Sequence, residues 1–152
     1  MEKLFIKQAE GILEEPDLIA ALSNLSALIM ESFDQLNWAG FYLVKNGELV
    51  LGPFQGKVAC THIPFDRGVC GLTYRTQTPQ VVDDVLSMKD HIACDSASRS
   101  ELCVPVLVNG SCVLEIDLDS PICSRFTEEM TNDICAVAAR LANAWVNHNW
   151  TV

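Results

Sequence analysis

The chain has 152 residues, 49% of them hydrophobic and 20% charged, which predicts one globular domain over residues 1–152. Its net charge is −10 and its ten Lys and Arg residues are scattered, which argues against a nucleic acid or an anionic membrane surface as a partner. No apolar run is long enough to cross a membrane.

The N-terminal half predicts two helices followed by a hairpin. Residues 4–13 have the pattern of a short helix, and residues 17–33 that of a longer one, with Pro16 suited to a first helical position. Asn46-Gly47 then joins two apolar runs, a strong signal for a β-hairpin. A further short strand is predicted over residues 58–63.

The C-terminal half predicts a short helix from about Val69, a strand over residues 80–82 and a second hairpin at Asn109-Gly110. Residues 83–99 have no steady period. Thr127 is suited to cap a final amphipathic helix. The plan is an α+β fold in which a central antiparallel sheet of about six strands carries the N- and C-terminal helices on one face.

Acidic residues alternate with apolar ones in the segment EIDLDSP, so that Glu115, Asp117 and Asp119 share one face of a predicted strand. From the pattern alone we favour a solvated sheet face. The functional alternative is that a ligand cation relieves their mutual repulsion, or that one acid keeps its proton and serves as a general acid.

Trp38, Gly40 and Tyr42 share a strand face by the same period of two. They are consistent with an ordinary core face that has a bulge at the glycine. The functional alternative is a slot between two aromatic rings that accepts a methyl or thioether group.

Seven cysteines without an export signal indicate thiols in a reducing cytosol, so we expect a cytoplasmic protein. Cys60, Cys70 and Cys94 are predicted at exposed loop or helix-start positions, where the helix dipole could stabilise a Cys70 thiolate. Burial or chance explains the other four, which are Cys103, Cys112, Cys123 and Cys135.

A structural metal site has weak support. The chain contains no C-x-x-C pair, and only His91-x-x-Cys94 has ligand-like spacing. A hydrolase with a Cys–His pair stays open as an alternative, although no oxyanion-hole motif stands out.

Several strings together resemble the free methionine-(R)-sulfoxide reductases, which are built on the GAF fold. The strings are WAGFYL, LGPFQGKVAC, RGVCG, HIACD, the SE of residues 100–101 and IDLDSP. The similarity begins at about Trp38 and extends to the start of the last helix, in the same order. GPFQGKVAC and HIACD are far more specific than any single short motif.

The resemblance implies roles for eight residues. It makes Cys94 the nucleophile, Cys60 its main resolving partner and Cys70 an auxiliary thiol. The implied substrate-binding residues are the carboxylates Glu101, Asp117 and Asp119 and the aromatic residues Trp38 and Tyr42. Glu115 receives no role from the resemblance.

The implied activity is reduction of free L-methionine (R)-S-oxide to L-methionine. The sulfenic acid formed on Cys94 would condense with Cys60 to a disulfide that thioredoxin reduces, with no metal or organic cofactor. The apolar terminal helices permit a homodimer. Two alternatives remain: a GAF module that senses a small molecule without turnover, and a redox-sensing or thiol-buffering protein.

Overall fold

The computed structural model describes residues 1–89 and 96–152 and contains a six-stranded sheet in the order β3-β2-β1-β6-β5-β4. Every pair of neighbouring strands is antiparallel. The strands are β1 Trp38–Lys45, β2 Glu48–Gly56, β3 His62–Ile63, β4 Gln80–Val82, β5 Ser100–Val108 and β6 Ser111–Ser120. The predicted α+β fold is confirmed.

Both predicted hairpins are present, β1–β2 and β5–β6. Asn46 and Gly47 have φ values of 54° and 78°, and Asn109 and Gly110 have 53° and 78°. Two successive positive φ angles are typical of the type I′ turn, whose twist matches that of the flanking strands. The Asn-Gly pairs therefore fix where each hairpin turns.

The predicted strand over residues 58–63 is confirmed only at its last two residues, which form β3. Side chains satisfy backbone carbonyls in the preceding connection: Trp38 Nε1 donates to Lys57 O (3.2 Å) and the Tyr42 hydroxyl donates to Cys60 O (2.9 Å). These bonds replace the ladder bonds of a longer strand.

Four α-helices accompany the sheet: α1 Leu4–Ile12, α2 Leu18–Ser32, α3 Gly68–Thr76 and α4 Glu128–Asn147. The Thr127 side chain accepts from the backbone N–H of Met130, which confirms the predicted cap of α4. The proposed position of Pro16 is wrong, because Asp17 caps α2 by accepting from the Ala20 N–H at 2.9 Å. Pro16 therefore lies outside the helix.

The terminal helices pack on one face of the sheet, as predicted. Helix α2 packs against β1 and β2, α4 packs against β5, and α1 contacts α2 and α4. The core between these layers includes Phe41, Leu114, Ile116 and Leu118.

Helix α3 lies on the opposite face, against β5 and β6, over a smaller cluster that contains Trp38 and Tyr42. The sheet is therefore covered on both faces at this point.

A short 3₁₀ helix, Val85–Ser87, lies in the segment 83–99, whose sequence has no steady period. Among the described helices, none combines the length and the apolar character needed to cross a membrane.

Candidate active site

The acidic side chains meet on the sheet face that α3 covers. The strand register places Asp119 opposite Glu101 and Asp117 opposite Cys103. On the other side of β6, Asp119 and Asp117 lie opposite Trp38 and Gly40 of β1. Since cross-strand partners point to the same side of a sheet, the predicted acids and aromatic residues share one surface.

This acidic surface is buried, so the solvated sheet face that we favoured from the pattern is wrong. Glu115 is fully buried, Asp117 is 5% exposed and Glu101 is 7% exposed. In the described part of the chain, none of these three carboxyl groups forms an ion pair with Lys, Arg or His. The acidic face of the sheet therefore packs under helix α3, where the alternating pattern had predicted contact with water.

Burial raises the pKa of Glu101 well above its usual range, and the nearby charges of Asp117 and Asp119 raise it further. Burial also raises the pKa of Asp117, although its hydrogen bond with Glu101 opposes that shift. The raised pKa of Glu101 favours its protonated form, and its hydrogen bond with Asp117 lies between two buried carboxyl groups. A carboxyl group that is protonated near neutral pH can act as a general acid.

Three aromatic rings form a wall beside the acids. Trp38 stacks on Phe54 with ring centroids 5.2 Å apart, and on Tyr42 with centroids 5.9 Å apart. Trp38 and Tyr42 are each only 2% exposed. Stacked rings offer the kind of surface that thioether and methyl groups contact favourably.

The slot that we considered at Gly40 is not open. A Cβ on Gly40 would overlap the Cβ of Phe54 and lie 2.8 Å from its Cα. The β1–β2 register shifts between Gly40 and Tyr42, as the alternative of a bulge at the glycine predicted. Gly40 thus permits Phe54 to approach Trp38. Phe54 was missed because only the strand register brings it opposite the glycine.

Cys60 lies half-buried in the connection between β2 and β3 and is part of a disulfide. Its carbonyl accepts the hydroxyl of Tyr42, which ties the backbone at this cysteine to the aromatic wall. Cys94, the predicted nucleophile, lies outside the described residues, as does His91 of the weak metal motif.

Cys70 differs from its prediction. It is the third residue of α3 but is only 4% exposed. Its pKa is raised well above the usual range by its hydrogen bond with Cys103, by burial and by the charge of Asp117, so the expected dipole-stabilised thiolate is wrong.

Cys103 was predicted to be buried, and it is, but its place beside the site was missed. Its Sγ lies 3.7 Å from Cys70 Sγ and 3.3 Å from Glu115 Oε1. The alternation of Glu101 and Cys103 along β5 was the signal that could have placed it there.

Two groups of described residues have atoms suited to bind a cation. The carboxyl oxygens of Glu101, Asp117 and Asp119 lie within 4.8 Å of one another, and so do the ligand atoms of Cys70, Cys103 and Asp117. The first group is accompanied by the aromatic wall, which suits an organic ammonium ion.

Comparison with known proteins gives the family. The GAF domain model matches residues 17–145. Protein YtsP of Bacillus subtilis is 49% identical over 83% of this chain and 79% of its own length. The free methionine-R-sulfoxide reductase of Escherichia coli is 44% identical over 84% of this chain and 77% of its own. The chain belongs to the free methionine-R-sulfoxide reductase family of GAF domains.

A solved member of this reductase family, the free methionine-R-sulfoxide reductase of Neisseria meningitidis in complex with its substrate, superimposes with a TM-score of 0.92. It is 40% identical, and the match covers 95% of this chain and 88% of that one.

Proposed function

We propose that this protein reduces free L-methionine (R)-S-oxide to L-methionine. The observation that carries the proposal is the close group of the buried Glu101 and Asp117 and the half-buried Asp119 beside the rings of Trp38 and Tyr42, in a chain of this family. The substrate has a group that suits each part: an ammonium ion for the carboxylates, and a methyl group for the rings.

The carboxyl groups serve two purposes in this proposal. The Asp117 and Asp119 carboxylates bind the substrate ammonium, which peptide-bound methionine sulfoxide lacks, so the free amino acid is preferred. Glu101 supplies a proton to the sulfoxide oxygen, which leaves poorly unless protonated. Burial strengthens both interactions because the local dielectric is low.

The redox steps follow from the family resemblance. The Cys94 thiolate attacks the sulfoxide sulfur, the S–O bond breaks, and the oxygen is transferred to give methionine and a Cys94 sulfenic acid. Cys60 attacks that sulfenic acid, which releases water and forms a disulfide. A dithiol such as thioredoxin then supplies two electrons and two protons and regenerates both thiols. In this scheme Cys70 is an auxiliary thiol for resolution.

The decisive assay offers the reduced protein three substrates in separate reactions: free R-sulfoxide, free S-sulfoxide and a peptide-bound sulfoxide. Thioredoxin, its reductase and NADPH are present, and NADPH oxidation is followed. We expect turnover only with the free R form. Equal rates with the peptide would contradict the role of the carboxylates, and binding without turnover would favour the sensor alternative.

Cysteine variants test the assigned order of the thiols. Cys94→Ser should abolish turnover, whereas Cys60→Ser should retain one stoichiometric reduction and recycle poorly. Cys112→Ser is the matched control, because Cys112 is a buried cysteine of β6 outside the acidic surface. Multiple turnover by the Cys94→Ser variant would refute the assignment of Cys94 as the nucleophile.

The proposal also includes a single domain over residues 1–152, a cytoplasmic location and a homodimer formed through the terminal helices. Light scattering coupled to size-exclusion chromatography tests the dimer. A mass of one chain at micromolar concentration would contradict it.

A further inference from the structure

We propose that Cys70 and Cys103, together with Asp117 and Glu115, form a binding site for a thiophilic divalent cation of the Zn²⁺ class. The ligand atoms of Cys70, Cys103 and Asp117 lie within 4.8 Å of one another, and Glu115 Oε1 lies 3.3 Å from Cys103 Sγ. Cys70, Cys103 and Asp117 thus offer two sulfur ligands and one oxygen ligand, and Glu115 approaches this group through Cys103.

Two of the interatomic distances are close to edges of a tetrahedral zinc site. With Zn–S bonds of about 2.3 Å and Zn–O bonds of about 2.0 Å, tetrahedral angles give edges of about 3.8 Å between two sulfurs and about 3.5 Å between sulfur and oxygen. The observed distances are 3.7 Å between the sulfurs and 3.3 Å between Cys103 Sγ and Glu115 Oε1. A disulfide would instead require the two sulfurs to lie about 2.05 Å apart.

Unsatisfied polar atoms at the same place supply a second observation. Within the described part of the chain, Glu115 Oε2 and Asp117 Oδ1 are buried without a hydrogen-bond partner. Both residues are more than nine-tenths buried, and neither forms an ion pair with a basic side chain of the described residues. Buried polar atoms are normally bonded, and a divalent cation satisfies such oxygens directly.

A bound divalent cation would also balance the negative charge of the cysteine and carboxylate ligands. Binding displaces the two thiol protons, since only thiolates ligate the metal. Glu115 has no part in the proposed reduction, and binding of a cation would explain why this carboxyl group is fully buried. Asp117 belongs to both groups, and if the proposed function holds, the cation and the substrate ammonium exclude each other.

Metal affinity is measured on the full-length C60S/C94S variant, which lacks the two proposed redox cysteines. The protein is fully reduced, and Zn²⁺ is titrated in competition with a chromophoric chelator. Thiolate ligation is checked with Cd²⁺ through its ultraviolet charge-transfer absorption. We expect one equivalent of metal with sulfur ligation.

Adding C103S to this background should weaken Zn²⁺ binding at least about 100-fold, whereas adding C112S should leave it unchanged. Absence of stoichiometric binding, or equal affinity in the C103S protein, would overturn the site. If circular dichroism shows that the C103S protein does not fold, D117N takes its place as the test. D117N keeps both thiols, and we expect it to lower the affinity for Zn²⁺ at least about tenfold. Unchanged affinity in D117N would refute the proposal. These readouts do not depend on reductase activity.

Discussion

Replacing Glu115 with Gln should make the protein relatively more stable as the pH rises. Burial raises the pKa of Glu115 well above its usual range, so the folded protein keeps a proton that the unfolded chain loses near pH 4.3. The native state thus binds more protons than the unfolded state between these two values. The stability contributed by the protonated form is complete below the unfolded pKa and declines as the pH rises.

The magnitude follows from the linkage relation. One proton held only by the native state lowers the free energy of unfolding by about 1.4 kcal/mol per pH unit. Glutamine resembles the protonated acid and does not titrate. The difference in unfolding free energy between Glu115→Gln and the parent protein should therefore shift in favour of the variant by about 1.4 kcal/mol from pH 5 to pH 6.

The pH dependence, rather than the absolute stability, is the informative quantity. The amide introduced by Glu115→Gln retains an oxygen that can accept from Cys103 Sγ, but it places an NH₂ group where Glu115 Oε2 has no described partner. A buried donor of this kind costs about 1–3 kcal/mol at every pH. That constant offset cancels when the two pH values are compared.

Urea unfolding followed by circular dichroism measures both proteins at pH 5, 5.5 and 6, with a chelator present to remove metal. Glu14→Gln is the matched control, since it removes the same charge from an exposed position. A difference between Glu115→Gln and the parent that stays constant with pH would show that Glu115 is ionised in the folded protein, and would refute the reasoning.

Two further variants test the aromatic wall. Gly40→Ala should lower the free energy of unfolding by about 1–3 kcal/mol, because its methyl group overlaps Phe54. Gly11→Ala has open space around it and should raise the free energy of unfolding by about 0.5–1 kcal/mol. Urea unfolding measures both variants, and an unchanged stability of Gly40→Ala would contradict the close approach of Phe54 to Gly40. Tyr42→Phe removes the bond to Cys60 O and should cost about 1 kcal/mol of stability. It should also slow recycling by thioredoxin more than the first stoichiometric reduction, and equal effects on both steps would argue against positioning of Cys60.

Local sequence signals predicted much of the fold. The Asn-Gly pairs determined both hairpins because few other dipeptides adopt two positive φ angles easily. The cap at Thr127 and the amphipathic pattern after it determined α4. The family resemblance directed attention to the acids and to Trp38 and Tyr42, which the strand register brings to one surface.

Features that depend on distant parts of the chain were predicted less well. An alternating acidic strand has the same pattern whether its polar face meets water or a helix, so the burial of Glu115 could not be read from it. Cys70 and Cys103 are 33 residues apart and meet only because α3 packs on β5. Phe54 similarly lies opposite Gly40 only through the register shift between Gly40 and Tyr42, and a bulge predicted at the glycine does not by itself identify the residue that it brings opposite.

The strand order places the two shortest strands at the outside of the sheet. β3 has two residues and β4 has three, while the four inner strands have eight to ten. An outermost strand exposes the backbone groups onto which another chain can add, and a short one offers few of them. The two central strands, β1 and β6, have a long partner on each side, so their backbone groups are not open to strand addition by another chain.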